Sequence, residues 1–262
     1  MSKYISKLLE EFQIDSGSKT CCAQNFMDID HDSPRIDSKK FAGAVMSLYY
    51  LASRIRRDLL FAVTVMSTRI HACNKSDEKK LSKIFRYLYE TRDRKIFIKL
   101  DGVELRFYID ASYAIHWNAR SHTGLVVSLG STHYGGPIFA RSIVQKLVTL
   151  SSFEAELNGV HQNVYWFHFY RNVMEELGFP QTEPSILYQD NQATILVMNR
   201  GNIFKGRSKH VDVRYYYLTE LIEKGIIKVE YLPTDQMIAD PLTKSKSAYA
   251  DEAEMKRLQN IS

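Results

Sequence analysis

A chain of 262 residues that is 45% hydrophobic and 25% charged has an ordinary globular composition, with enough apolar material for one large domain or two modest ones. A net charge of +5 admits a polyanionic partner without requiring one. Cys21 and Cys22 are adjacent and Cys73 stands alone, which excludes a cysteine metal pattern and points to reduced thiols inside the cell. The longest apolar run, Leu59 to Met66, is too short to span a membrane, and Met1-Ser2-Lys3-Tyr4 opens no signal peptide, so no membrane partner is expected.

The first hundred residues predict helices. Tyr4, Ile5, Leu8, Leu9 and Phe12 recur at helical spacing, and Ser16-Gly17-Ser18 closes that segment. Residues 15 to 37 have the composition of a loop. From Ser38, the residues Phe41, Val45, Leu48, Tyr49 and Leu51 rebuild a helix. A polar break over residues 53–57 precedes another from about Asp58 to Ile70, with Asp58 as its N-cap. A further helix begins near Ser76 with Asp77 and Glu78 in its first turn, and buries Leu81, Ile84, Phe85 and Leu88. Its basic side, with Lys79, Lys80, Lys83 and Arg86, reads first as a solvated face and only second as a nucleic-acid contact.

After about residue 95 the pattern changes to short strands: Lys95 to Leu100, Leu105 to Asp110, Thr123 to Leu129 and Ile138 to Val144. Asp101-Gly102, Gly130-Ser131 and Gly135-Gly136-Pro137 between them are hairpin-turn chemistry, so the strands are expected to be antiparallel. A long helix follows from about Ser151 to Leu177 and closes at Gly178. A strand from Ser185 to Tyr188 leads to Asp190 and a short helix. A helix from about Val211 to Glu223, a strand from Ile226 to Leu232 and a last helix near residue 237 complete the order. Antiparallel strands followed by β-α-β crossovers predict an α/β fold, a mixed sheet flanked by helices.

Four carboxylates stand where such a sheet binds ligands. Asp110 and Asp190 each follow an apolar strand, at the edge where open α/β sheets place their sites. Asp110 taken alone also reads as a turn cap. On the long helix, Phe153, Leu157, Val160, Val164 and Phe167 form one stripe; Glu156 lies about 60° from its centre and Glu154 about 100° to the other side. Glu156 is therefore the carboxylate able to look across the sheet, and Glu154 a solvated charge. Asp240 precedes Pro241 and reads equally as an N-cap or as a ligand. Together Asp110, Glu156, Asp190 and Asp240 suit hard divalent ions, Mg²⁺ or Mn²⁺, with His161 and His168 as ordinary partly exposed histidines. Several carboxylates around two ions about 4 Å apart suit phosphodiester hydrolysis.

The blocks Tyr108-Ile109-Asp110-Ala111, Arg120-Ser121-His122-Thr123-Gly124, Leu150 to Leu157, Tyr188-Gln189-Asp190-Asn191-Gln192, Lys209 to Arg214 and Leu232 to Lys244 resemble, in order, the ribonuclease H domain of copia-type LTR retrotransposon polyproteins. Residues 4–9, 43–52 and 85–88 resemble the end of that family's reverse transcriptase. The resemblance implies a ribonuclease H-like mixed five-stranded sheet over residues 98–262. Residues 1–97 would be a small helical reverse-transcriptase tail, thumb- or connection-like. It also implies cleavage of RNA paired with DNA, with Asp110 bridging two ions, Glu156 and Asp190 each completing one shell, and Asp240 holding the second ion. Departures are Arg57 at a usual proline and Ala114-Ile115-His116-Trp117-Asn118 in place of an acidic, glycine-containing segment.

Lys205, Arg207, Lys209, His210 and Arg214 form the basic cluster nearest the expected site, suited to the phosphates of a hybrid duplex. Tyr215, Tyr216 and Tyr217 cannot all face inward on one helix. No Tyr-x-Asp-Asp hairpin occurs, so DNA polymerisation is not expected. Expected partners are an RNA–DNA hybrid and other parts of the retrotransposon polyprotein, in cytoplasmic virus-like particles or the nucleus. The rival reading is a non-catalytic nucleic-acid-binding or assembly remnant; an integrase or resolvase of related fold fits the blocks less well.

Overall fold

The computed structural model describes residues 1–98, 100–130, 136–200 and 209–245, with 209–215 as backbone only. They fall into two compact units, the first holding Met1–Phe97 and the second Ile98–Thr243. No helix among the described residues is long and apolar enough to cross a membrane. The three cysteines are free, with Cys21 and Cys73 buried.

The first unit holds α1 (Ser2–Glu11), α2 (Ser38–Arg54), α3 (Leu60–Ser67) and α4 (Lys75–Glu90). Helix α2 starts where the Asp37 carboxylate accepts from the Lys39 amide at 2.8 Å. Helix α4 starts one residue earlier than its acidic first turn suggests, because Asn74 and Asp77 form a reciprocal capping box. Helix α3 is apolar on every side and buries every residue from Leu60 to Met66. Asp58 is not its N-cap. A short 3-10 turn, Arg57–Leu59, precedes α3, and Asp58 pairs with Arg56 through two bonds of 2.7 and 3.0 Å in a fully buried ion pair. Burial alone would push the Asp58 carboxyl up, but the Arg56 guanidinium holds it below its ordinary value. Asp58→Ala should cost about 3–5 kcal/mol in denaturant unfolding, because it strands a buried guanidinium; replacing both partners with apolar residues should recover most of it.

The second unit holds β1 (Leu105–Ser112), β2 (His122–Leu129), β3 (Gly136–Val144), α5 (Ser152–Gln162), α6 (Val164–Glu176), β4 (Ser185–Gln189), α7 (Gln192–Arg200), α8 (Lys209–Glu223) and β5 (Ile227–Tyr231). They build a 5-stranded sheet of order β3-β2-β1-β4-β5. β1, β2 and β3 are antiparallel, and β4 and β5 join in parallel, so this is the mixed, ribonuclease H-like sheet flanked by helices that was expected. One face carries the core: Phe107 and Ile109 of β1, Leu125 and Val127 of β2, Leu157 and Val160 of α5, Phe167 of α6 and Leu218 of α8. Phe107 and Phe167 meet edge-on with ring centres 4.6 Å apart.

Three expectations are corrected. The described part of 95–100 forms no strand, and the sheet begins at Leu105; Phe97 and Ile98 are more than half exposed, so the alternation there has no buried face to serve. The single long helix is two, broken at Asn163. That buried side chain donates to the Gly159 carbonyl at 2.8 Å and accepts from Arg141 at 3.2 Å, competing with the helix ladder while the apolar stripe continues past it. The helix expected near residue 237 is a pair of 3-10 turns, Thr234–Gln236 and Asp240–Leu242, around Met237 and Ile238, which are buried.

Candidate active site

Strand β1 runs two residues beyond Asp110, and its parallel partner β4 stops pairing with it at Tyr108 opposite Tyr188. The chain leaves β4 at Gln189 and turns at Asp190, so Asp110 and Asp190 share the end of the strand pair. Helix α5, N-capped by Ser151, packs on β1 and adds Glu156. One oxygen from each of Asp110, Glu156 and Asp190 lies within 4.8 Å of the others; Asp110 and Glu156 are buried and Asp190 half-buried.

Each carboxylate is held. Glu156 accepts from the Ala111 amide and from the Gln189 side chain, both at 3.2 Å. Gln189, itself fully buried, turns its other end to accept the Asp190 and Asn191 amides at 2.9 and 3.0 Å. Asp190 accepts from the Thr234 hydroxyl at 2.7 Å, and Asp110 from the Thr243 hydroxyl. Burial, with Asp110 and Asp190 as like-charged neighbours, pushes the Glu156 carboxyl well above its ordinary range. Three crowded carboxylates, one resisting ionisation, with oxygen donors alone, form a set that a hard divalent cation would relieve.

Of the four expected ligands, three converge. Asp240 is buried in its 3-10 turn, whose N-cap is Ala239, and does not lie within that distance of the three. Its turn nevertheless rests on β1 and β2 beside the site. Gly124, the cross-strand partner of Asp110, makes this approach possible: a Cβ there would meet the Ala239 carbonyl oxygen at 2.7 Å and Leu242 Cβ at 2.8 Å. Gly124→Ala should therefore cost roughly 1–3 kcal/mol and displace the turn, visible as a lowered melting temperature with weaker metal binding.

Glu154 is half-buried and accepts from the Leu150 amide at 2.7 Å in a solvent-exposed bond at the start of α5, outside the cluster as expected. His161 and His168 are half-buried, the latter 3.3 Å from the Tyr217 hydroxyl. Tyr216 and Tyr217 are exposed. Lys205 and Arg207, and the side chains of Lys209, His210 and Arg214, lie outside the described residues. Sequence reasoning missed Gln189, Thr234 and Thr243; their one signal was proximity to Asp190 and Asp240 within the matching blocks.

No family model matches the chain. It is 34% identical over 217 residues to the retrovirus-related Pol polyprotein from transposon RE2 of Arabidopsis thaliana, covering 82% of this chain and 14% of the relative. It is 28% identical over 256 residues to that from transposon TNT 1-94 of Nicotiana tabacum (92% of this chain, 18% of the relative). Identity to the Ty1-NL2 Gag-Pol polyprotein of Saccharomyces cerevisiae is 23% over 231 residues, or 82% of this chain and 13% of that one. The chain thus spans less than a fifth of the length of these polyproteins. Among solved structures, LC11-RNase H1 in complex with RNA/DNA hybrid aligns with a TM-score of 0.38 and 10% identity, over 53% of this chain and 94% of that one. A foamy viral protease-reverse transcriptase in complex with RNA/DNA hybrid aligns with a TM-score of 0.47 and 11% identity, over 89% of this chain and 27% of that one.

Proposed function

Because the chain belongs to the retrovirus-related Pol polyproteins of copia-type transposons, we propose that Ile98–Thr243 contains a ribonuclease H that hydrolyses the RNA strand of RNA–DNA hybrids, within a domain reaching residue 262. The observation that carries this reading is the convergence of Asp110, Glu156 and Asp190 at the end of the β1–β4 pair. Residues 1–97 are read as the helical end of a reverse transcriptase, without polymerase activity of their own. Its setting would be reverse transcription in virus-like particles or the nucleus, alongside other parts of the polyprotein.

Asp110, Glu156 and Asp190 would hold two Mg²⁺ or Mn²⁺ ions, with Asp240 supporting the second, and the pair would supply an activated water and stabilise the leaving oxygen. The chain's own contribution is direction. Thr243, Gln189 and Thr234 fix the three carboxylates by hydrogen bonds, and the Ala111 amide holds Glu156 Oε1. That preorganisation removes the cost of gathering like charges when substrate arrives. Lys205, Arg207, Lys209, His210 and Arg214 are proposed to grip backbone phosphates, and 2′-hydroxyls to mark the strand for cutting.

The test is cleavage of an end-labelled RNA–DNA hybrid in Mg²⁺ or Mn²⁺, with RNA–RNA and DNA–DNA duplexes alongside. Cutting of the hybrid's RNA strand alone is the expected result. A folded protein that binds the hybrid and leaves its RNA intact in both metals would make the chain a binding remnant instead.

A further inference from the structure

Asp110, Gly124 and Ser142 lie in one row across β1, β2 and β3, because Asp110 pairs with Gly124 and Gly124 with Ser142. The missing side chain at Gly124 leaves the middle of this row open, and the Ala239–Thr243 segment lies over it. The segment is tied down on both sides. At one end the Ser142 hydroxyl donates to the Leu242 carbonyl at 2.7 Å; at the other the Thr243 hydroxyl reaches the Asp110 carboxylate and lies 2.9 Å from the Asp240 carbonyl oxygen.

Behind Ser142 the chain of bonds continues. Its oxygen lies 2.7 Å from His122 Nε2, and His122 Nδ1 lies 2.9 Å from His116 Nε2. Since the hydroxyl proton is used on Leu242, His122 Nε2 must donate to Ser142, which leaves His122 Nδ1 to accept from His116 Nε2–H. Every bond is satisfied with both imidazoles neutral and in the Nε2–H form. His122 and Ser142 are almost fully buried, and His116 is 7% exposed.

We infer that His116, His122 and Ser142 are positioning residues: a buried hydrogen-bond chain that straps the Asp240–Thr243 turn across Gly124 and, through Thr243, sets the direction of the Asp110 carboxylate. A hydrophobic row would cover the sheet equally well. It would not hold a carbonyl and a hydroxyl in register with Asp110, which converges with Glu156 and Asp190. Burial holds the His116 imidazole down at about 4 and pushes the His122 imidazole well below its usual value, which keeps both in the neutral state the chain requires.

The role in metal binding rests on the nuclease reading, so the test pairs a readout that depends on it with one that does not. The first is Mn²⁺ affinity with kcat and KM on hybrid; the second is the ¹³C carboxyl resonance of Asp110 in metal-free protein. Ser142→Ala should shift that resonance, weaken Mn²⁺ binding by about 10-fold or more and lower kcat with KM unchanged, as loss of an outer-shell partner does. Ser142→Thr should restore all three. His122→Phe should act like Ser142→Ala, and the double variant should be no worse than either single one, since both cut the same chain. His116→Phe, at the outer end, gives the same comparison in milder form should Ser142→Ala not fold. A folded Ser142→Ala with an unmoved Asp110 resonance and wild-type Mn²⁺ affinity overturns the inference. A wild-type chain that neither binds Mn²⁺ nor cuts hybrid overturns the nuclease reading, and the Asp110 resonance still decides the positioning.

Discussion

Asp110→Asn should abolish hybrid cleavage while leaving the protein folded. The asparagine side chain has the same shape and keeps an oxygen able to accept from the Thr243 hydroxyl, so the link between β1 and the Asp240–Thr243 turn survives. What is lost is one charge of the cluster, on one of the three carboxylates that would hold the ions. A loss on the order of a thousand-fold in kcat, roughly 4 kcal/mol of transition-state stabilisation, is the expected scale. Glu154→Gln is the informative contrast. Glu154 lies two residues from Glu156 in sequence, but its carboxylate accepts from the Leu150 amide at the helix start and takes no part in the cluster. That variant should cut hybrid at nearly the wild-type rate with a modestly lower melting temperature. Equal loss in both variants would mean that the cluster acts through the stability of α5 rather than as a ligand set. Retained cutting by Asp110→Asn would move the chemistry away from the end of β1 altogether.

The carboxylate cluster was legible in the sequence where one element's periodicity controls one residue. An apolar strand ending in Asp110 or Asp190 commits that side chain to a sheet end, and the helical stripe separates Glu156 from Glu154 by angle alone. The break at Asn163 did not disturb that reading, because Glu156 lies nearly two turns before it. The supports were not legible. Gln189 bridges Glu156 to the Asp190 turn, and nothing in its spacing distinguishes a fully buried glutamine from a solvated one. The Ser142–Leu242 bond joins residues a hundred positions apart, which no local pattern encodes. Asp58 failed for a related reason: an aspartate before an apolar run has the look of a cap, and only tertiary packing puts Arg56 against it with no water between. In the sheet, the antiparallel and parallel halves follow from turn chemistry and crossover length. The stretch 95–100 had the right alternation, but its described residues Phe97, Ile98 and Leu100 are exposed and form no strand.

Removing one charge of the carboxylate cluster should also make the metal-free protein more stable. Burial and the charges of Asp110 and Asp190 hold the Glu156 carboxyl well above its ordinary range, so the folded protein keeps a proton there that the unfolded chain releases. Stability linked to such a group is fully present below the unfolded-state value and is lost as pH rises through the higher folded-state one. The metal-free wild type should therefore melt at a lower temperature at pH 8 than at pH 6. Asp190→Asn removes one of the two repelling charges, and the half-buried side chain can still take the Thr234 hydroxyl. It should melt about 2–4 °C above wild type at pH 8, the shift that 1 kcal/mol produces in a domain of this size, and close to wild type at pH 5. Adding Mg²⁺ should reverse the order: the wild type gains stability, more at pH 8 than at pH 6 because binding must expel the Glu156 proton, and the variant gains little. A variant that is more stable without metal and inactive with it is the signature of a site that stores repulsion for a cation to relieve. If calorimetry found the metal-free variant no more stable than wild type at any pH, the three carboxylates would not be repelling one another. Their closeness would then be a feature of the fold rather than a place made for ions.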